Sequence, residues 1–321
     1  MPVNPTSLLD QFQSHPRLAA LIQRAQSQVA DAVPSKASPR IGLVYPCDAL
    51  ALEAAQAMLS LGLAQPVLIG PKALMGKAAI AAGIELGAFE CLDTESDKPI
   101  ESAKLAALLA RQGSLQVLMK GSLHTDELMS AIVDKETGLR GARRISHAFV
   151  FDLPRYGKLL ALADCVVNIS PNLATKSDIL RNAVDMLGKL GLQQIKVGIV
   201  AATESVNPAI PATLDAQALV AMHQKGEWPH CLVEGPFGFD NAFSSEAART
   251  KGMNSLVAGD ADLLLMPDLN AGNMLYKSFN YVGGGDCAGL VLGAKVPIVL
   301  TSRADSALAR LASVALAILA V

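Results

Sequence analysis

Short, uninterrupted runs of Val, Ile and Leu punctuate the chain. They include "RIGLVYP" (40–46), "PVLIG" (66–70), "LQVLM" (115–119), "HAFVFDL" (147–153), "ADCVVNI" (163–169), "IKVGIVA" (195–201), "HCLVEG" (230–235), "ADLLLMPD" (261–268), "AGLVLG" (288–293) and "VPIVL" (296–300). Most do not alternate apolar with polar residues, so they read as strands covered on both faces. Between them lie alanine-rich stretches with helical spacing, such as "DALALEAAQAMLSLGL" and "ESAKLAALLARQG". Strand and helix in alternation predict an α/β fold with a largely parallel sheet. Aromatic residues are only 4% of the chain, so Ala, Leu, Val and Ile must fill the core.

With 321 residues the chain suits two domains rather than one. The charged seam "RGARRISH" (140–147) interrupts the apolar pattern. The expected division is a first domain of 1–145 plus 296–321 and a second of 146–295. Both are α/β/α layers, and the final strand and helix return to the first domain, leaving a cleft between the two.

Composition excludes several function classes. Half the residues are apolar (51%) and 17% are charged, which is a packed globular protein rather than a disordered one. The net charge of −2 gives no global positive field for nucleic acid, although a local cluster of Arg and Lys can still hold a small anion. The five cysteines, Cys47, Cys91, Cys165, Cys231 and Cys287, form no C-x-x-C pair and read as reduced thiols of a cytoplasmic protein. The proline-broken N-terminus has no leader pattern. The apolar segment 307–321 carries Arg310, is too short for a bilayer, and reads as a core helix.

In α/β sheets ligands gather where strand carboxyl ends meet helix N-termini. Four such seams carry unusual polar residues. In "VLMKGSLHTDELM" (117–129) a strand delivers Lys120, Gly121, Ser122 and His124 to a helix opened by Thr125. Lys120 would neutralise a phosphate, Gly121 would let backbone N–H groups approach it, and the helix dipole would help. The plainer alternative is a turn capped by Ser122 or Thr125. In "ETGLRGARRISH" (136–147), Arg140, Arg143 and Arg144 suit a polyanion, or else form a solvated patch. In "MPDLNAGNMLYKSF" (266–279), Asn273 and Lys277 share one helix face, for a ligand or for solvent. In "VPIVLTSRADSALARLA" (296–312), Ser302 and Asp305 fit a capping box, but capping does not require Arg303. A hydroxyl, a guanidinium and a carboxylate at a helix start suit acyl transfer to or from a thiol. A base takes the thiol proton, the hydroxyl orients sulfur, and the cation stabilises developing negative charge.

Other signals fail. "GPKALMGKAA" has one residue too many between Gly70 and Gly76 for a phosphate-binding P-loop, and Ala78 follows Lys77 where Ser or Thr is needed. "YVGGGDCAG" (281–289) lacks a dinucleotide fingerprint. His147, His223 and His230 show no metal spacing.

The segments "LMKGSLHTDELM", "RRISH", "ADCVVNISPNL", "VEGPFGFDNA", "ADLLLMPDLNAGNMLYKSF" and "GAKVPIVLTSRADS" together resemble the phosphate acetyltransferase/phosphate butyryltransferase family, in order and from about residue 40 to the end. "YPCDALALEAA" and "KGSLHTDEL" place the resemblance nearest the butyryl-like branch and the acyltransferase half of enoyl-CoA hydratase/phosphate acetyltransferase fusions. The resemblance implies the reaction acyl-CoA + phosphate ⇌ acyl phosphate + CoA, with acetyl or butyryl as the acyl group. It implies an isocitrate/isopropylmalate dehydrogenase-like fold, a homodimer, no membrane attachment, and no metal or cofactor beyond the substrate coenzyme A. Its Ser-Arg pair falls on Ser302 and Arg303: the Ser would position the CoA sulfur, and the Arg would hold the phosphate or the carbonyl oxygen. Lys120 and Gly121 would face the phosphate. Ser122, His124, Arg144, Asn273, Lys277 and Thr301 complete the candidate substrate-binding set. The other branch carries a carboxylate further along the last helix, where this chain has Ala309, so Asp305 is assigned as the base.

Two rivals share these features. One is a metal- and NAD-dependent decarboxylating dehydrogenase on the same fold, for which Asp260, Asp262 and Asp268 would be the ligands. The other is a CoA-binding protein without catalysis, supported only by the missing later carboxylate.

Overall fold

The computed structural model describes residues 5–31, 38–95, 97–302 and 304–321. The elements follow in order: α1 (Pro5–Ser14), α2 (Pro16–Ala30), β1 (Arg40–Val44), α3 (Ala49–Ser60), β2 (Gln65–Gly70), α4 (Lys72–Ala82), β3 (Glu90–Asp93), α5 (Pro99–Arg111), β4 (Val117–Lys120), α6 (Thr125–Val133), β5 (Ser146–Asp152), β6 (Leu160–Ala163), α7 (Leu173–Lys189), β7 (Ile195–Val200), α8 (Pro211–Gln224), β8 (Cys231–Phe237), α9 (Phe239–Phe243), α10 (Ser245–Thr250), β9 (Leu263–Leu265), α11 (Leu269–Tyr281), β10 (Asp286–Leu292), β11 (Ile298–Val299) and α12 (Ala307–Leu319).

The chain divides into two compact units, 1–143 with 287–321, and 144–286. In the first, the strand order is β3-β2-β1-β4-β11-β10. All neighbours are parallel except β10, which runs antiparallel to β11. That pairing, Val291 opposite Ile298, brings β10 back with β11, so the return begins at Cys287 rather than at the 296 that the apolar pattern suggests. In the second unit the order is β5-β6-β9-β7-β8, parallel except for antiparallel β5 and β6.

The continuous apolar runs become strands buried along their length. Every residue of β5, β6 and β9 is buried. Helix α12 is buried on nearly all sides and packs against α2 and α3. A helix of small Ala residues permits that close approach, and its burial draws on the hydrophobic effect at about 25 cal/mol per Å².

Two local expectations change. The run "ADCVVNI" is not a strand: β6 ends at Ala163, and the Asp164 carboxylate accepts hydrogen bonds from the N–H groups of Val166 (2.8 Å), Val167 (3.0 Å) and Asn168 (3.2 Å). That side chain offers the backbone an alternative to a ladder. The last helix is capped by Ser306, whose Oγ accepts the Ala309 N–H at 2.8 Å, not by Ser302. Asp305 does reach back to the Ser302 N–H (2.6 Å), closing a separate turn ahead of the helix.

Candidate active site

β1, β4 and β11 are parallel neighbours, so their carboxyl ends lie on one edge of the first unit's sheet. Val44 is level with Lys120, and Val299 with Met119. Residues far apart in sequence are thereby delivered together. A shallow pocket at this edge is lined by Asp48, Met119, Lys120, Gly121, Thr301, Ser302 and Arg310, among others.

The turn after β4 is locked to the turn after β1. The Gly121 N–H donates to the Val44 carbonyl (2.9 Å), and the Ser122 N–H to the Tyr45 carbonyl (3.0 Å). The Ser122 hydroxyl also donates to the Tyr45 carbonyl (2.8 Å) and accepts the Cys47 N–H (3.1 Å). A Cβ on residue 121 would sit 2.6 Å from the Val44 oxygen and 2.7 Å from the Tyr45 oxygen, so only glycine fits this approach. The half-buried Lys120 ammonium is steered by the Leu123 carbonyl at 3.1 Å.

After the neighbouring β11, Thr301 is buried and Ser302 is exposed. The Ser302 carbonyl accepts from Arg310 Nη2 at 3.4 Å. Arg310 is only 8% exposed and is the one charged side chain of α12. Asp48 Oδ1 caps α3 through the Ala51 N–H (2.9 Å) and also lines the pocket. The sequence signals for these two were present: Arg310 is the one charge in "ALARLASVALAIL", and Asp48 opens a helix directly after a strand end. A wider depression shares Asp48 and is lined by Tyr45, Cys47, Lys77 and Ser122. Burial, with Asp48 and Asp97 nearby, pushes the Cys47 thiol up to about 12, so it stays protonated and is no nucleophile.

The remaining candidates divide. Arg303 lies outside the described residues. Asp305 spends a carboxylate oxygen on the Ser302 N–H. His124, rather than Thr125 or Ser122, holds the N-cap position of α6, where its N–H donates to Glu127 Oε2 at 2.8 Å, and its ring is exposed. Arg144, Asn273 and Lys277 belong to the second unit. Arg144 Nε donates to Asn168 Oδ1 (3.3 Å), Asn273 Nδ2 donates to the Cys165 carbonyl (3.2 Å), and Lys277 is exposed one turn further along α11.

The aspartates of the dehydrogenase rival are already engaged in structural contacts. Asp260 and Asp262 precede β9 and pair with Lys158 at 2.9 and 2.6 Å, while Asp260 also meets Lys196 at 2.5 Å. Asp268 follows β9 and caps α11 through the Ala271 N–H (3.0 Å). Among the described residues no three His, Cys, Asp or Glu side chains group as metal ligands.

Residues 100–318 match the family model described as "Phosphate acetyl/butaryl transferase". The chain is 46% identical over 283 residues to a phosphate acetyltransferase of Rhizobium meliloti, covering 88% of this chain and 89% of that one. It is 35% identical over 287 residues to a phosphate butyryltransferase of Clostridium acetobutylicum, covering 89% and 95%. Among solved structures it superimposes on a branched-chain phosphotransacylase from Enterococcus faecalis with a TM-score of 0.77 and 28% identity, covering 88% of this chain and 98% of that one. A 4-hydroxythreonine-4-phosphate dehydrogenase from Burkholderia phymatum, 14% identical with a TM-score of 0.54 over 89% of this chain and 99% of that one, shares the fold alone.

Proposed function

This chain belongs to the phosphate acetyltransferase/phosphate butyryltransferase family, and from that premise we propose how its own residues carry the acyl group between coenzyme A and phosphate. The reaction is acyl-CoA + phosphate ⇌ acyl phosphate + CoA, with acetyl or butyryl as the group moved. The observation that carries the reading is the convergence of Lys120, Gly121, Thr301 and Ser302 on one pocket.

In the proposed mechanism phosphate sits against Lys120 and the Gly121 turn. Its oxygen attacks the thioester carbonyl, a C–O bond forms, the C–S bond breaks, and the CoA sulfur leaves as thiolate beside the Ser302 hydroxyl. Arg303 stabilises the negative charge that develops on the carbonyl oxygen. The proton given up by the attacking phosphate passes through Asp305 to that thiolate, and in the reverse direction Asp305 takes it back from the thiol. Thr301 lines the phosphate side. Ser122 and the wider depression beside it, with Lys77 at its rim, offer room for the pantetheine arm. His124, Arg144, Asn273 and Lys277 contribute further contacts to the anionic parts of the substrates. Holding two anions in register supplies most of the acceleration, because bringing reactants together is itself worth several kcal/mol. Both carriers are substrates, and the balanced exchange draws on no metal or redox group.

Two further features of this reading concern the assembly and its place. Exposed apolar side chains on and beside α11, Met274 (64%), Tyr281 (76%) and Val282 (86%), favour a homodimer that covers them. Free cysteines favour a reducing, cytoplasmic setting, and no described helix is long and apolar enough to cross a membrane.

A series of acyl-CoA substrates, assayed for free thiol in the presence of phosphate, tests the proposal. Phosphate-dependent thiol release with an optimum at acetyl-CoA or butyryl-CoA is expected. CoA binding without thiol release at any chain length would favour the non-catalytic rival, and an NAD-dependent absorbance change with a hydroxy acid and metal would favour the dehydrogenase.

A further inference from the structure

Arg144 is an exposed arginine whose backbone is tied at both its N–H and its carbonyl and whose side chain is held at Nε. Its N–H donates to Asp178 Oδ2 at 2.9 Å, and its carbonyl accepts from Asn182 Nδ2 at 2.9 Å, both on α7. Its Nε donates to Asn168 Oδ1 at 3.3 Å. Among the described residues no ion pair or further hydrogen bond holds its terminal amino groups. An exposed arginine normally gains little from such ordering, because its long side chain loses rotamer freedom for nothing. An arginine that must present a planar two-nitrogen edge to a phosphate gains a great deal.

The aim comes from below. Asn168 is 5% exposed, and its amide has one orientation available. Its Nδ2 donates to Asp164 Oδ2 at 2.6 Å and to the Ile145 carbonyl at 3.0 Å, which turns Oδ1 toward Arg144. Asp164 is 3% exposed. All four of its contacts are N–H donors, so its carboxylate serves as acceptor throughout. Burial drives its carboxyl above the usual carboxylate range, against the pull of those hydrogen bonds. Keeping a carboxylate there is costly unless fully bonded, and the transfer chemistry makes no use of it directly. Helix α11 is held against the same turn: a Cβ at Gly272 would stand 2.5 Å from the Asp164 carbonyl.

We infer that Asp164 and Asn168 are positioning residues that fix the Arg144 guanidinium so that its two terminal nitrogens receive a phosphate group of the substrates. This rests on the acyl-transfer reading for the identity of the ligand. The phosphate has two sources, the inorganic acceptor and the phosphates of CoA, and they share this chemistry.

The test is binding measured by calorimetry, which needs no turnover, with inorganic phosphate, CoA and dephospho-CoA as probes. Asn168→Ala removes the aim and leaves Asp164 its three backbone donors. It is expected to weaken binding of one phosphate-bearing probe about tenfold. In an Arg144→Lys background, where no Nε exists to be aimed, the same substitution is expected to change binding less than twofold. Asp164→Asn puts an amide N–H against Asn168 Nδ2. It should reproduce that pattern of binding, and its melting temperature should fall in both backgrounds. Should Asp164→Asn fail to fold, Asn168→Ala decides alone. A loss confined to inorganic phosphate assigns the acceptor, and one confined to CoA and its dephospho form assigns the carrier. Unchanged binding, equal losses in both backgrounds, or a wild type that binds none of the probes would overturn the inference. A wild type that binds but releases no thiol would instead count against the proposed activity.

Discussion

The two units hold their polar groups by different means. In the first, the backbone does the placing. Parallel β1, β4 and β11 end on one edge, and the Gly121 turn is tied to the Tyr45 turn by main-chain hydrogen bonds. In the second, side chains do it: a buried carboxylate orders an amide, and the amide orders an arginine. Backbone placement tolerates little change in glycine or strand register, whereas a side-chain relay can be disconnected one link at a time. On the proposed reading, the reacting centre rests on the stiffer device and the Arg144 anion contact on the adjustable one.

The most severe way to break the first unit's arrangement is Arg303→Gln. Turnover is expected to fall by a factor on the order of 10²–10³, with the circular dichroism spectrum and melting temperature retained. Ordinary turnover in a folded variant would remove Arg303 from the chemistry. Gly121→Ala attacks the backbone device instead. Its Cβ meets carbonyl oxygens at 2.6 and 2.7 Å, so a loss of roughly 2–4 kcal/mol of stability is expected, read by denaturant unfolding. A neutral result would mean that the two turns are free to separate.

Smaller effects sharpen the contrast. Ser306→Ala should lower stability by about 1 kcal/mol through the lost cap while leaving the Michaelis constants alone. Ser302→Ala should do the reverse and slow turnover. Matched melting and rate measurements on the pair decide which serine serves the helix and which the substrate.

In the second unit His147 gives a pH signature. Burial pushes its imidazole down to about 3, and neither ring nitrogen has a hydrogen-bond partner among the described residues. The unfolded chain binds a proton near pH 6.5 and the folded chain does not. Its contribution to stability is therefore complete above pH 6.5 and is lost as pH falls toward 3. Between pH 6.5 and 5.5 the wild type should lose about 1 kcal/mol more than His147→Leu. Parallel stability profiles for the two would show that the histidine is protonated in place.

The placement of the first unit's candidate residues at strand ends was legible in the sequence, because strand ends announce themselves. The apolar run "LQVLM" ends at Lys120-Gly121, and "VPIVL" ends at Thr301-Ser302. The start of α12 was not, since Ser302-x-x-Asp305 and Ser306 both offer a cap and the spacing alone favours the earlier one. Nor was the relay in the second unit. "ADCVVNI" has the composition of a strand, and nothing in its periodicity reveals that Asp164 turns inward to take three backbone N–H groups. Arg310 was visible as an isolated charge, but its approach to the Ser302 carbonyl depends on packing that only the fold supplies.

A structure of the protein with CoA and phosphate bound tests the central claim most directly. Phosphate oxygens within hydrogen-bond distance of Lys120 Nζ and the CoA sulfur beside the Ser302 hydroxyl are the expected result. Both ligands seated away from the pocket at the ends of β4 and β11 would contradict it.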